Sequence, residues 1–96
     1  MLDLEDIIYF ESLNKNIKIR TQEKFYYTKY PLSYFEQKLP DDYFCRIHRS
    51  FIVNLMKIEG FRKKINYTYD ISLKNIPDII PASKSKIKWI KEKLQY

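Results

Sequence analysis

The chain has 96 residues, 45% of them hydrophobic, with 18 basic and 12 acidic side chains and a formal net charge of +6. This length supports a single domain over residues 1–96 with one core, and neither a signal peptide nor the roughly 20 apolar residues of a membrane span is visible. The lone cysteine, Cys45, excludes an internal disulfide and is typical of a reducing, cytoplasmic compartment.

The charge is distributed unevenly along the chain. Residues 1–44 hold 6 basic and 8 acidic side chains, a balance of −2, whereas residues 45–96 hold 12 and 4, a balance of +8. Such polarity indicates one basic face and a polyanionic partner. The alternative is codon bias, because abundant Lys, Ile, Asn and Tyr are what an AT-rich genome encodes.

Strand patterns dominate the first third of the chain. Residues 7–10 form a short apolar run, residues 16–21 alternate with period two, and residues 24–30 are rich in aromatic residues of high β-propensity. Residues 11–16 predict a hairpin loop, because Asn tolerates positive φ and both Ser and Asn bond to nearby backbone.

A short helix is predicted next. Leu32, Phe35 and Leu39 recur at helical spacing after a proline, and Ser33 with Glu36 has the spacing of a capping box. The Leu-Pro step that follows ends this helix after about two turns.

Residues 43–54 place a polar cluster between two apolar flanks. The cluster consists of Arg46, His48, Arg49 and Ser50. Strict alternation would direct Arg49 to the same face as Ile47 and Phe51, so the strand is expected to break or bulge near Arg49. The only histidine lies between two arginines, a setting that suits phosphate binding better than general-base catalysis. The alternative is the solvated side of a half-buried strand.

The last third of the chain predicts one more strand and a terminal helix. Alternation over residues 67–73 places on one face Tyr67, Tyr69, Ile71 and Leu73. A helix follows Ser83, with an apolar stripe formed by Ile87, Ile90 and Leu94 and surrounded by lysines. The sequence therefore predicts a mainly β domain of antiparallel strands with two short helices.

Catalytic chemistry is poorly supported by the residue inventory. One histidine and one cysteine exclude a zinc site built from clusters of these residues. Cys45 and His48 are three residues apart, which places them on opposite faces of a strand, so Cys45 is predicted to be a buried thiol and not a nucleophile. A single glycine excludes a glycine-rich phosphate loop. We expect no enzymatic activity and no metal or cofactor.

Three polar clusters are candidates for contact with a polyanion. They are the loop tip Asn14-Lys15-Asn16, the cluster Arg46, His48, Arg49 and Ser50, and the helix start Ser83-Lys84-Ser85-Lys86. Asn amides can read an adenine edge, and Arg suits both phosphate and guanine. Lysines in a first helical turn oppose the helix dipole unless an anion binds there. An ordinary hairpin tip and simple helix capping by Ser83 are the alternatives.

The order of these segments resembles the LytTR family of DNA-binding domains, the output modules of many bacterial response regulators. The matching residues are Asp6-Ile7-Ile8-Tyr9-Phe10-Glu11-Ser12, Leu32 with Leu39, Phe44-x-Arg46-Ile47-His48-Arg49-Ser50-Phe51-Ile52-Val53-Asn54, Ile58 and Pro81-Ala82-Ser83-Lys84. The resemblance implies an elongated stack of antiparallel β-sheets with two short helices, which binds double-stranded DNA in transcription regulation.

The resemblance also implies how the domain meets DNA. The three clusters correspond to loops that enter successive major grooves at paired direct repeats, with two copies on a bent duplex. The first and third clusters read bases, and phosphates are contacted mainly by Arg46, His48, Ser50 and Ser83. Family members usually carry arginine where this chain has Lys84, which leaves base specificity there open. A strand usually precedes the segment that begins at Asp6, so we expect an upstream receiver or other sensor domain.

Two other functions remain open at this point. A small β-barrel that binds single-stranded nucleic acid would stack bases on exposed tyrosines, for which the candidates are Tyr26, Tyr67 and Tyr69. A protein-interaction domain that binds no nucleic acid would instead have its basic residues scattered over several faces. The positions of the tyrosines and of the basic side chains in the fold discriminate between these functions.

Overall fold

The computed structural model describes residues 2–94, apart from the side chain of Tyr67. Its strands are β1 (Ile7–Leu13), β2 (Asn16–Thr21), β3 (Phe25–Thr28), β4 (Phe44–His48), β5 (Phe51–Asn54), β6 (Ile58–Lys63), β7 (Thr68–Leu73) and β8 (Ile79–Ser83). Its helices are α1 (Leu32–Lys38) and α2 (Lys84–Leu94), and 3-10 turns occupy Leu4–Asp6, Leu55–Lys57 and Ile65–Tyr67. No helix within this described range is long and apolar enough to cross a membrane.

Two antiparallel sheets form the body of the domain. Five strands pair in the order β3-β2-β1-β5-β4, and the order β6-β7-β8 gives a second sheet. The main core joins both sheets to α2 and includes Tyr9, Val53, Ile71, Ile80 and Ile90. A smaller core lies between the five-stranded sheet and α1 and includes Phe10, Ile17, Ile52 and Leu32. With extents of 34 × 26 × 25 Å, the stack is longest along one axis, and the predicted fold class is confirmed.

The first hairpin is tighter than the sequence predicts. β1 continues up to the turn, which consists of Asn14 and Lys15 alone, so the predicted loop over residues 11–16 is too long. The two turn residues have φ values of 45° and 70°, and a type I′ turn requires positive φ at both positions. The additional pairing places Glu11 opposite Lys18, and their side chains form an ion pair at 3.3 Å.

Both predicted helices are confirmed, but the predicted capping box is wrong. α1 begins directly after Pro31, so Ser33 is already the second helical residue and cannot cap the helix. Glu36 accepts a hydrogen bond from Arg46 on β4. α2 begins directly after Ser83, as predicted.

β6 and β8, the outer strands of the three-stranded sheet, are not predicted by the sequence pattern. In β6 the pairing register shifts between Ile58 and Gly60, which interrupts the alternation of apolar residues. β8 contains Pro81, which is tolerated because β8 is an edge strand. The strand predicted at residues 67–73 is confirmed as β7, whose inward residues are Tyr69, Ile71 and Leu73. The predicted place of the Tyr67 side chain falls outside the described part of the chain.

A polar bridge joins the two sheets. The Tyr9 hydroxyl on β1 donates to Asp78 Oδ2 at 2.7 Å, and Arg20 Nε on β2 donates to the same oxygen at 3.2 Å. Burial alone would raise the pKa of the Asp78 carboxyl, but these hydrogen bonds outweigh burial and hold the pKa below its ordinary value. Burial, and then the bond to Asp78, raises the pKa of Tyr9. The bridge therefore joins a neutral phenol and a guanidinium to an ionised carboxylate.

We expect Asp78→Asn to lower the free energy of unfolding by about 1–2 kcal/mol near neutral pH, because the bonds from Tyr9 and Arg20 lose an ionised acceptor. The pKa of Asp78 is lower in the folded than in the unfolded state, so the ionised carboxylate stabilises the fold. This stabilisation is complete above the unfolded pKa of about 4 and is lost as the pH falls through the folded pKa. The difference between parent and variant should therefore shrink below about pH 4. Urea unfolding on both sides of that pH measures it, and a constant difference would contradict the ionised bridge.

Candidate nucleic-acid interface

The first predicted cluster forms the tip of the β1–β2 hairpin. Asn14 and Lys15 occupy the turn, Asn16 is the first residue of β2, and all three are exposed. Their amide and ammonium groups are thus accessible at one end of the five-stranded sheet. Groups of these types donate to phosphates and to base edges.

The second cluster spans the β4–β5 hairpin. β4 ends at His48, Arg49 and Ser50 form the turn, and β5 begins at Phe51, so the predicted break near Arg49 is confirmed. The pairing register also shifts between Arg46 and His48, as it does at a β-bulge. The break leaves Arg49 exposed, which is the orientation predicted for it.

Arg46 has a structural role that the sequence analysis did not anticipate. Its Nη1 donates to Glu36 Oε1 on α1 at 3.1 Å, and its Nη2 donates to the carbonyl oxygen of Arg49 at 2.6 Å. A partly exposed ion pair of this kind contributes only about 0–1 kcal/mol to stability. Arg46 therefore also helps to position the backbone that carries Arg49.

His48 is oriented by the same turn. The Ser50 N–H donates to His48 Nδ1 at 3.0 Å, and the imidazole ring lies 5.7 Å from the Phe51 ring. Since Nδ1 accepts a hydrogen bond, the proton of the neutral imidazole is on Nε2, a donor suited to phosphate. Cys45 is buried in the main core, and burial raises the pKa of its thiol, so the prediction of a buried thiol is confirmed.

The two turns lie side by side. The Ser12 N–H donates to the Ser50 carbonyl oxygen at 2.8 Å, which extends the pairing of β1 and β5 up to both turns. A shallow depression of about 270 Å³ between the turns and the start of α1 is lined by polar side chains that include Lys15, Lys29, Arg46, Arg49, Ser12 and Ser33. The two predicted clusters therefore share one basic surface.

Lys29 and Ser33 were missed as candidate site residues. The signal for Lys29 was present, because antiparallel pairing of residues 24–30 with residues 16–21 returns the chain to the first turn. The observed register pairs Thr28 with Ile17, directly beside that turn. Ser33 has no comparable sequence signal, since its position depends on how α1 packs.

The third cluster begins α2. Lys84, Ser85 and Lys86 form its first turn and are exposed, and the Ser83 hydroxyl accepts a long hydrogen bond from the Lys86 N–H at 3.4 Å. Ser83 thus caps the helix, which was the structural alternative for this residue. A second depression, of about 260 Å³, is lined in part by Glu36, Arg46, Lys86 and Trp89. Because Arg46 borders both depressions, the two turns and Lys86 of the third cluster border one continuous surface.

Known proteins share this fold. The LytTr DNA-binding domain of a methyl-accepting/DNA response regulator from Bacillus cereus matches with a TM-score of 0.85 at 30% sequence identity, covering 99% of this chain and 86% of that one. The family model of the LytTr DNA-binding domain matches residues 1–95. The chain belongs to the LytTR family. The resemblance drawn from the sequence is confirmed.

Curated bacterial proteins contain LytTR domains similar to this one. The transcriptional regulatory protein YpdB of Escherichia coli strain K12 is 38% identical over 85 residues, which cover 88% of this chain and 35% of that protein. The sensory transduction protein LytT of Bacillus subtilis strain 168 is 34% identical over 94 residues, or 98% of this chain and 39% of that protein. The chain spans about a third of the length of these relatives.

The positions of the basic and aromatic residues do not favour the two other functions. The basic residues of the LytTR domain that border the two depressions are grouped on one surface; they are Lys15, Lys29, Arg46, Arg49 and Lys86. Tyr26 is 38% exposed on β3, but Tyr69 packs against the main core from the other sheet. These tyrosines therefore do not form a common platform for stacking bases.

Proposed function

We propose that this LytTR domain binds double-stranded DNA sequence-specifically and acts in bacterial transcription regulation. The observation that carries the proposal is the basic depression between the two turns, lined by Lys15, Lys29, Arg46 and Arg49, which Arg46 connects with a second, mixed-charge depression that reaches Lys86. The regulatory setting is supported by similar domains in proteins named as transcriptional regulators. An upstream receiver domain and two copies on paired direct repeats stay predictions.

The proposal gives the clusters different parts in recognition. Asn14, Asn16 and Arg49 offer amide and guanidinium groups that suit adenine and guanine edges. Phosphates are contacted by the hydroxyl, imidazole and ammonium groups of Lys15, Lys29, His48, Ser50, Ser83, Lys84, Ser85 and Lys86. We assign Arg46 both to positioning the second turn and to phosphate contact, because its hydrogen bonds to Glu36 and Arg49 use only two of the five N–H groups of the guanidinium.

The size of the domain adds a bend of the DNA to the proposal. The longest extent of the domain is 34 Å, whereas neighbouring major grooves on one side of a straight duplex are about 34–36 Å apart. The clusters are separated by less than the 34 Å length of the domain, so they reach both grooves only when the duplex bends towards the protein. Such a bend costs roughly 1–6 kcal/mol. Fluorophores at the two duplex ends should approach each other on binding, and an unchanged distance would limit the contact to one groove.

Selection from a pool of random duplexes at two salt concentrations tests the proposed function. Specific recognition should enrich one motif at both concentrations, and a pair of direct repeats would define the operator. Affinity should still fall with salt, because lysine and arginine release counterions from the duplex. Binding that enriches no motif and disappears at higher salt would leave only attraction to polyanions and would contradict sequence-specific recognition.

Lys86→Ala should weaken binding about equally for operator and scrambled duplexes, since a phosphate contact carries no sequence information. It should also reduce the slope of log affinity against log salt concentration by about 1. The matched control is Lys74→Ala. Lys74 is exposed and directly follows the last residue of β7, whereas the first residue of β7, Thr68, pairs with Ser83 beside the start of α2. Lys74 therefore lies at the opposite end of β7 from Lys86. An equal loss in both variants, or a loss confined to the operator, would contradict a phosphate contact by Lys86.

A further inference from the structure

The outer strand β3 leaves one edge of the five-stranded sheet open. Within residues 2–94, β2 is its only neighbour in the sheet. The strand carries no charge and no proline, and its Phe25, Tyr26 and Tyr27 are 48%, 38% and 65% exposed. The other edge strands carry features that discourage pairing, namely Arg46 on β4, several charges on β6 and Pro81 on β8. β3 is therefore the edge best suited to accept a further strand.

Pairing with β2 determines which backbone groups of β3 face outward. The Thr21 N–H donates to the Lys24 carbonyl oxygen at 2.9 Å and closes the β2–β3 hairpin. Hydrogen-bonded pairs alternate along an antiparallel ladder, so Tyr26 also bonds towards β2. Phe25 and Tyr27 consequently direct their N–H and C=O groups away from the sheet, where another strand can bind them.

We propose that β3 pairs with β3 of a second copy of this chain and forms a two-fold symmetric dimer. With Tyr26 opposite Tyr26 of the second copy, the outward-facing Phe25 lies opposite Tyr27, and both exchange main-chain hydrogen bonds. Aromatic side chains then pair across the strands on both faces of the joined sheet. This pairing does not rest on DNA binding.

The charges that flank β3 select this register. β3 is flanked by exposed Glu23 and Lys29, which lie in bends just outside the strand. With Tyr26 on the two-fold axis, the Glu23 end of each β3 meets the Lys29 end of the other copy, which brings opposite charges together at both ends and allows two ion pairs. The register centred on Tyr27 also matches the outward-facing groups, but it offsets Glu23 from Lys29 of the other copy by two residues at both ends and so weakens both ion pairs. Charge complementarity therefore favours a second copy in the first register.

The symmetry of this dimer separates it from two copies on direct repeats. Antiparallel pairing of the edges places the turns of the two copies at opposite ends of the joined sheet. The two DNA-facing surfaces then point away from each other and fit two separate duplex segments. Copies on neighbouring repeats of one duplex would need a different contact.

Sedimentation equilibrium of the DNA-free chain over a range of concentrations tests the pairing. The mass of the parent should rise with concentration from 11.8 kDa to about twice that value. Glu23→Lys should weaken dimerisation roughly tenfold, because both ion pairs become repulsive. The double variant Glu23→Lys with Lys29→Glu should restore the parent's dissociation constant, because it exchanges the charges within each pair.

A proline variant tests the backbone contact separately. Tyr27→Pro removes an outward-facing N–H but none that bonds to β2, so it should prevent dimerisation while circular dichroism shows a folded domain. A parent that stays monomeric at all concentrations would overturn the proposal. So would a double variant that dimerises as weakly as Glu23→Lys alone, or a parent that assembles beyond two copies.

Discussion

Arg49→Ala should weaken binding to the selected operator roughly tenfold to a hundredfold, since a guanidinium on a base edge contributes about 1–3 kcal/mol. The free energy of unfolding should change by less than about 0.5 kcal/mol, because the side chain is exposed and its removal opens no cavity. Fluorescence anisotropy with operator and scrambled duplexes measures the first effect, and urea unfolding measures the second.

Two variants provide the controls for Arg49. Arg49→Lys keeps the charge but not the planar fork, so it should bind scrambled duplex like the parent and lose most of its preference for the operator. Lys74→Ala removes a charge away from the turns and should behave like the parent. If Arg49→Ala binds the operator as tightly as the parent does, the second turn is not part of the interface.

Asn54→Ala should lower the free energy of unfolding by about 2–4 kcal/mol and the melting temperature by roughly 10–30 °C. Asn54 is 2% exposed at the end of β5, where its Nδ2 donates to the Ile7 carbonyl oxygen at 2.9 Å and its Oδ1 accepts from the Met56 N–H at 2.9 Å. Alanine would leave the Ile7 carbonyl oxygen without its partner in a buried setting and the Met56 N–H without its partner in a partly buried one. Thermal unfolding followed by circular dichroism measures the loss.

Two further variants are controls for Asn54: one removes an amide at an exposed position, and the other changes the side-chain chemistry at position 54. Asn16→Ala removes an exposed amide and should change the free energy of unfolding by less than about 0.5 kcal/mol. Asn54→Asp keeps an acceptor for the Met56 N–H but cannot donate to Ile7 when ionised, so it should also destabilise the domain. A melting temperature unchanged in Asn54→Ala would show that these hydrogen bonds do not hold the β5 end in place.

The parts of the fold that the sequence predicts well are those in which burial follows a local period. β2 matches its predicted residues because Ile17 and Ile19 alternate with more exposed side chains on a sheet whose inner face is buried. The apolar stripe of α2 is predicted equally well, since Ile87 and Ile90 are both buried and lie one helical turn apart. The motif around Arg49 was recognisable for a different reason, because it joins burial and charge in a short, specific order.

The parts that the sequence does not predict depend on partners distant in the chain. Arg46 donates to Glu36 and to the backbone of its own turn, contacts that cannot be predicted without knowing where α1 packs, while its contact with phosphate stays a prediction. The polar bridge joins residues even farther apart in the chain, Tyr9 and Asp78. Nothing in the sequence around either residue predicts that it contacts the other. The capping box was wrong for a local reason, because α1 starts at Leu32, directly after Pro31 and one residue before Ser33.

If the first turn reads bases as proposed, its backbone also limits how operator preference can change during evolution. Positive φ at both Asn14 and Lys15 favours Gly, Asn and Asp, while β-branched and bulky side chains are strained there. Few amino acids can therefore replace Asn14 without a cost in folding. Asn16 has ordinary strand geometry and accepts a much wider range of side chains. Mutational libraries, and natural divergence among LytTR domains that share this turn, should acquire new operators more readily through Asn16 than through the two residues at the tip.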